Sequence, residues 1–419
     1  MMQFWMRGIL FFIFLVGNQG QAGLDVDVKS DSALLINSIT GKVLFEKNTS
    51  QLMYPASCTK IAFALYAIKY HQALFNEKLI CSQNTIKSMP ESQKSKNNFA
   101  DTPSYILETD AAHMGLKLGE EMSFYDILEA TMVVSADDAS NMLAEAMGQG
   151  SIEKCVQDVN SYLTSIGCKN THFKNPHGLH HPDHVTTAHD LALMCQEAMK
   201  EPLFAKMVTK TSFERPKTNK QQPVVLKQTN RLLIKSSPFY YSAAVGIKTG
   251  YHRRAGYCLC AQAEKNGRTL ISIILHGSTK EERFQDTIRL FDAAFQETKV
   301  KRELFAAGPQ SFERALEGGS SPIRTVTKEP LAYSFYPSEE PSVRCQLIWQ
   351  EVDLTLKKDT LVGELLLLFD GEVQQKIELF AAHDVKLTFL ASIRKGLTLP
   401  ILIGLGGIIL IALLLKNRI

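Results

Sequence analysis

Tyr54-Pro55-Ala56-Ser57-Cys58-Thr59-Lys60, running into Ile61-Ala62-Phe63-Ala64-Leu65, is the stretch on which the reading of this chain turns. It reads as a loop that becomes a helix at Ser57. Residues three apart share a helix face, so the Ser57 hydroxyl and the Lys60 amine are expected to point the same way. A serine becomes a nucleophile when a neighbouring base takes its proton, and a lysine of lowered pKa can be that base. Taken alone, the spacing fits any serine at a helix start. Ile61, Leu65 and Ile68 form the apolar stripe of a buried helix reaching about Tyr70.

Upstream, Ser32 to Ile36 and Val43 to Glu46 are β-type runs on either side of Ile39-Thr40-Gly41, a hairpin. Downstream, Cys81 to Thr102 is polar and reads as irregular surface. Ser123 to Val133 is helical, with Ser123 and Asp126 placed to cap it. Val134-Ser135-Ala136-Asp137-Asp138 breaks the pattern before a helix from Ala139 to Gly148, and Thr187 to Ala198 is a further helix. Val245 to Lys248, Tyr257 to Glu264 and Thr269 to Leu275 are strand-like, the last two joined by the hairpin signal Asn266-Gly267. A helix follows from Thr279. Strands thus enclose a mainly helical middle section. The fold class expected is α/β, more strictly α+β: an antiparallel sheet flanked by helices with a helical insertion.

From Gly308 to Pro341 the composition shifts to Gly, Ser, Pro and Glu. Beyond it, Gln346 to Leu356, Thr360 to Phe369, Val373 to Leu379 and Val385 to Ala391 read as strands of a small all-β domain. The termini carry targeting signals. Arg7, the apolar run Gly8 to Val16, and the small residues Gly20 and Ala22 make residues 1–22 a secretory signal. Leu397 to Leu415 holds no charged residue and is long enough to span a bilayer. The expected organisation is therefore signal peptide 1–22, first domain 23–300, β-rich domain with linker 301–392, and transmembrane anchor 397–415. The body would be exported and held by its tail, on the outer side of a cytoplasmic membrane.

With 419 residues, 45% hydrophobic and 21% charged, the composition is that of globular protein. A formal net charge of +3 gives no electrostatic footprint for nucleic acid. The eight cysteines lack framework or zinc spacing and fit burial as small apolar side chains, so neither a metal nor a cofactor is expected.

Three short motifs occur in order: Ser57-x-x-Lys60, Ser135-Ala136-Asp137 on a helix break, and Lys248-Thr249-Gly250 at the end of a strand. Together they resemble the serine acyl-transferase superfamily of penicillin-binding proteins and β-lactamases. Pro55-Ala56-Ser57, Asn175-Pro176-His177-Gly178-Leu179 and Gly246-Ile247-Lys248-Thr249-Gly250-Tyr251, with Ala255-Gly256-Tyr257, narrow the likeness to the low-molecular-weight D-alanyl-D-alanine carboxypeptidases, over Ser32 to Ser392.

That resemblance implies a peptidoglycan stem peptide as substrate, acylation by β-lactams, and roles for particular residues. Ser57 would be the nucleophile and Lys60 its base, with Lys248 a nearby cation that disfavours a second ammonium. Ser135 would relay a proton to the leaving D-alanine. The backbone N–H groups of Ser57 and Tyr251 would hold the oxyanion, and the strand through Gly250 would pair with the substrate. Thr249, Lys248 and Arg283 are the candidates for its carboxylate. One position departs from the family pattern: Asp137 stands where an asparagine is usual. An ionised carboxylate near Lys60 would raise the lysine's pKa, since unit charges about 4 Å apart interact by about 4 kcal/mol at an effective dielectric near 20. Either Asp137 is protonated, or it faces Lys248, or the enzyme is slower than its relatives.

Four rival readings share some of these features. A class A β-lactamase would need a Glu-x-x-Leu-Asn loop, absent here, and a signalling β-lactam sensor would need a cytoplasmic domain. A D,D-endopeptidase acting on cross-links shares all the motifs. So does a non-catalytic β-lactam-binding protein, if Asp137 disables the site.

Overall fold

The computed structural model describes residues 23–396, except Asn97, Ala100 and Leu354, together with the backbone of Phe11–Leu15. Residues 23–297 and 298–396 are separate compact units. In the first, strands β1 (Ser32–Asn37) and β2 (Val43–Lys47) precede helices α1 (Lys60–Tyr70), α2 (Glu91–Lys96), α3 (Phe124–Val133), α4 (Asp137–Met147), α5 (Ile152–Ser165), α6 (Ala188–Met199) and α7 (Pro202–Val208). Strands β3 (Ala244–His252), β4 (Gly256–Lys265) and β5 (Arg268–Gly277) follow, then α8 (Glu282–Gln296). The five strands form one antiparallel sheet in the order β3-β4-β5-β1-β2.

Successive strand residues face opposite sides of a sheet, and here both sides are covered. Leu34, Ile36, Ile271 and Ile273 belong to the core shared with α1 and α3 to α7. Ala33, Leu35, Leu270 and Ile274 face Phe284, Leu290 and Phe291 of α8. Burial on both faces explains why β1 reads as a continuous apolar run.

Local signals fix the element ends. The Ser123 hydroxyl accepts from the Asp126 N–H at 3.0 Å and donates to its carboxylate at 2.6 Å, starting α3. Thr187 caps α6 by accepting the Asp190 N–H. Asn266 and Gly267 both take positive φ, 54° and 73°, the conformation of a tight hairpin between β4 and β5. Ser57 itself lies in a 3₁₀ turn, Ala56–Thr59, and the α-helix proper starts at Lys60. The fourth helix starts at Asp137, two residues before the expected Ala139, because two acidic side chains suit a helix N-terminus. The polar stretch after Cys81 is not wholly irregular: Ser82 caps a single turn, Gln83–Ile86, and α2 follows.

The second unit contains β6 (Val300–Phe305), β7 (Gly308–Arg314), β8 (Ile323–Thr327), β9 (Leu331–Phe335), β10 (Val343–Trp349), β11 (Leu361–Phe369) and β12 (Glu372–Ala381). Its main sheet runs β10-β11-β12-β8-β7, with Phe11–Leu15 alongside β10, and β6 pairs with β9. Alternate residues Val343, Cys345, Leu347 and Trp349 enter its core. The Gly- and Pro-rich stretch after Gly308 thus carries strands as well as turns. One expected strand is corrected: Val385 makes only an isolated bridge to Leu356, and Phe389–Gly396 is helical.

Among the described residues no helix is long and apolar enough to cross a membrane. The segment 397–415 lies outside the described residues, as does most of 1–22.

Candidate active site

A relay of hydrogen bonds shapes the turn that carries Ser57. The Lys174 N–H donates to His184 Nδ1 at 3.0 Å, leaving Nε2 to donate to Thr59 Oγ1 at 2.8 Å. The Thr59 hydroxyl in turn donates to the Ala56 carbonyl at 2.8 Å. Ala56 adopts a φ of +48°, a left-handed conformation costly for a residue with a Cβ. Gly178, at φ +90°, packs so closely that a Cβ there would lie 1.9 Å from the Ala56 carbonyl oxygen. The Asn175-to-Leu179 loop therefore buttresses the turn that carries Ser57.

Lys60 begins α1 one turn after Ser57, and its Nζ lies 2.8 Å from Ser57 Oγ. The lysine is fully buried. Its Nζ also meets Asp137 Oδ1 at 2.5 Å and donates to the His177 carbonyl at 2.8 Å. Burial lowers the Lys60 pKa, against the opposing pull of Asp137. The same burial raises the Asp137 pKa, against the pull of Lys60. Burial thus works against the charged form of each partner, while the charge of each supports that of the other. Asp137 faces Lys60.

Ser135 sits on the α3–α4 connection at φ +67°, buried, on the wall of a cavity of about 560 Å³ that also touches Ser57, Thr249, Gly250, Tyr251 and Arg283. Such a conformation costs of order 1–3 kcal/mol and persists where surrounding structure enforces it. Here the anchor is Asp138. Its carboxylate accepts the Met114, Gly115 and Leu116 N–H groups at 2.9–3.0 Å, while the Asp137 N–H donates to the Ala112 carbonyl at 2.7 Å. The segment around Ala112 is thereby clamped over the site.

β3 forms the other wall. Lys248 is buried, with Nζ donating to the Thr249 carbonyl at 3.0 Å; burial, then proximity to Lys60, pull its pKa down to about 7. The Thr249 and Thr229 hydroxyls are 2.6 Å apart. At Gly250 a Cβ would come within 2.8 Å of the Pro55 carbonyl and 3.1 Å of the Ser57 nitrogen. Only glycine lets this strand approach Ser57 so closely. Tyr251 is half exposed and its ring stacks on Tyr257, centroids 4.3 Å apart. Arg283 is buried, not a surface ion pair. Its Nη1 donates to the Gly250 and Cys258 carbonyls at 2.9 and 3.1 Å, bracing the end of β3.

Ser57, Lys60, Ser135, Asp137, Lys248, Thr249, Gly250, Tyr251 and Arg283 thus gather around one cleft, all of them within the first unit. Sequence reasoning missed the His177 carbonyl, Thr229 and the Asp138 clamp. The first is a backbone group with no side-chain signature, and the other two act through long-range packing. No group of three or more His, Cys, Asp or Glu able to hold a metal occurs among the described residues.

This arrangement can activate a serine and stabilise an anion, and comparison with known proteins agrees with it. A family model described as D-alanyl-D-alanine carboxypeptidase matches residues 18–279. D-alanyl-D-alanine carboxypeptidase DacF of Bacillus subtilis is 29% identical over 360 residues, covering 85% of this chain and 86% of that protein. DacA of Haemophilus influenzae is 25% identical over 366 residues, covering 85% and 86%. Penicillin binding protein 5 from Haemophilus influenzae has the same fold, with a TM-score of 0.58 at 22% identity over 86% of this chain and 99% of that one. So does DacD from Francisella tularensis, with a TM-score of 0.58 at 21% identity over 90% and 100%. With the family model spanning the whole stretch from the hairpin before Ser57 to the strand after Lys248, this chain belongs to the D-alanyl-D-alanine carboxypeptidase family.

Proposed function

We propose that this protein is a serine-type D-Ala-D-Ala carboxypeptidase that removes the terminal D-alanine from peptidoglycan stem peptides through an acyl-enzyme on Ser57. The observation that carries the reading is the buried Lys60 amine, 2.8 Å from Ser57 Oγ, with its pKa lowered by burial. A neutral amine in that place is a base aimed at one hydroxyl.

The steps follow from the geometry. Ser57 Oγ attacks the carbonyl carbon of the penultimate D-alanine while its proton passes to Lys60 Nζ. The oxyanion is received by the Ser57 and Tyr251 backbone N–H groups. As the C–N bond breaks, Ser135 gives its proton to the leaving amine and takes the one held by Lys60, and water later hydrolyses the ester. The substrate carboxylate meets Lys248, Thr249 and the nearby Thr229, with Arg283 holding Gly250 in line. A β-lactam presents a carboxylate beside a reactive amide and acylates Ser57 by the same steps. Asp137 is the hydrogen-bond partner that orients the Lys60 amine, and burial works against the charge it would impose on the lysine.

For location, the reading rests on the sequence: residues 1–22 direct export and residues 397–415 anchor the chain in the bacterial cytoplasmic membrane. The β-rich residues 301–392 then act as a spacer between the membrane and the catalytic unit, and the site works on the extracytoplasmic side, where peptidoglycan lies. The test is to incubate the full-length protein with a D-Ala-D-Ala pentapeptide and with a cross-linked dimer, measuring free D-alanine and dimer cleavage. Release from the pentapeptide supports the proposal. Cleavage of the dimer alone makes the protein an endopeptidase, and no release from either overturns both readings.

A further inference from the structure

Phe11–Leu15 apart, the main sheet of the second unit ends on β7 at one side and on β10 at the other. An outer strand offers unpaired N–H and C=O groups to other chains, and proteins blunt it with proline, bulges or charge. β7 is blunted: it holds Pro309, Glu313 and Arg314, and its register to β8 breaks between Pro309 and Glu313. β10 is not. Val343-Arg344-Cys345-Gln346-Leu347-Ile348-Trp349 holds no proline and one charged side chain, and pairs with β11 through all seven residues without a break.

This flat edge takes a partner strand. Phe11–Leu15 lies antiparallel along it, with Phe12 opposite Leu347 and Phe14 opposite Cys345. The bonds to β11 show which backbone groups face outward. The Gln350 N–H donates to the Val362 carbonyl, and the Asp370 N–H to the Ser342 carbonyl. Bonding alternates along an antiparallel ladder. Arg344, Gln346 and Ile348 therefore bond β11, while Val343, Cys345, Leu347 and Trp349 turn their N–H and C=O groups to the open side. Residues 1–22 read as a secretory signal, and their removal takes Phe11–Leu15 away from those four residues.

We propose that in the exported protein a second copy of the chain takes that place, β10 pairing antiparallel with β10 about a two-fold axis at Gln346. The strand is complementary to itself in this register. Cys345 meets Leu347 and Val343 meets Trp349, so every outward-facing residue of each strand finds a hydrogen-bonding partner. On the face away from the core, Arg344 stands opposite Ile348 and Gln346 opposite its own copy, so no like charges oppose. The contact is isologous and closes at two copies. One strand pair buries little surface and binds weakly alone. Tails 397–415 held in one membrane would raise the effective concentration of the copies and offset that weakness. The inference goes beyond the carboxypeptidase reading and does not depend on it.

The experiment uses the mature chain, residues 23–419, in phosphatidylcholine vesicles, one portion carrying a donor dye and another an acceptor. Energy transfer should exceed that of copies placed at random at the same density. Gln346→Lys and Gln346→Glu each set like charges face to face across the axis, and each alone should weaken pairing about tenfold or more. Mixed with one another, the two variants should pair again, which a misfolded variant could not do. Transfer no greater than random placement, or transfer that neither substitution moves, overturns the proposal. A chain that stays single yet binds a synthetic Gly8-to-Val16 peptide overturns it as well, and assigns the edge to a foreign strand.

Discussion

Lys60 Nζ and Asp137 Oδ1 lie 2.5 Å apart with both side chains buried, and burial favours the uncharged form of each. The aspartate that departs from the family pattern thus touches Lys60 directly, and its charge pulls the Lys60 pKa upward against the effect of burial. Replacing it by asparagine, which can accept from and donate to the same neighbours, removes that pull. Asp137→Asn should keep or raise the rate of penicillin acylation at neutral pH and move the acid limb of its pH profile to lower pH. Stopped-flow acylation across pH measures both. A loss of about a hundredfold, about 2.7 kcal/mol, would give the carboxyl a role of its own.

The proposed mechanism has Lys248 set the alkaline limb, because its role there needs the ammonium and burial pulls its pKa down to about 7. As pH rises through that value the charge that meets the substrate carboxylate is lost, so kcat/KM for a D-Ala-D-Ala peptide should fall above about pH 7. In the complex the carboxylate favours the ammonium, so the corresponding limb of kcat should lie at higher pH. Coincident limbs in the two profiles would contradict this assignment.

Asp138 holds the segment that roofs the cleft. Its carboxylate, almost fully buried, accepts three backbone N–H groups from Met114 to Leu116. Asp138→Ala orphans them, and hydrogen bonds to a charged group contribute roughly 1.5–3 kcal/mol each. With partial rescue by water, the substitution should destabilise the catalytic unit by about 3 kcal/mol and raise KM for peptides. Denaturant unfolding and steady-state kinetics on the same variant test the two parts.

The nucleophile turn, the capped helix after Ser123 and the Asn266-Gly267 hairpin are legible in the sequence because their causes are local: a cap, a turn dipeptide, an apolar period. The three motifs are legible as a set because their order along the chain survives folding. The partners that define the chemistry are not. His177 contributes a backbone carbonyl, Thr229 meets Thr249 from another segment, and the direction of Asp137 depends on how α4 packs against α1. The strand expected at Val385 to Ala391 failed for a related reason. Its apolar residues suit a strand, but Val385 and Leu387 make only isolated bridges, to Leu356 and Gly319. Thr388 instead starts a helix, its hydroxyl accepting the Ala391 N–H at 3.4 Å and its carbonyl the Ser392 N–H at 2.9 Å.

Gly178 and Gly250 test the closeness of the walls around Ser57. An added methyl group would press on the Ala56 carbonyl in one case and on Pro55 and Ser57 in the other. Gly178→Ala, strained also by its positive φ, and Gly250→Ala should each slow penicillin acylation by about a hundredfold or more. Circular dichroism of the purified variants separates that effect from misfolding. Normal acylation by either variant would show that the turn is looser than the structure has it.

The central claim is that Ser57, activated by Lys60, becomes the acylated residue. Incubating the full-length protein with benzylpenicillin and mapping the adduct by mass spectrometry addresses it directly. A single covalent adduct is expected on the peptide containing Tyr54 to Lys60, borne by Ser57, with its loss in Ser57→Ala and near-complete loss in Lys60→Met. An adduct on another residue, or none on folded protein with Ser57 intact, would contradict it.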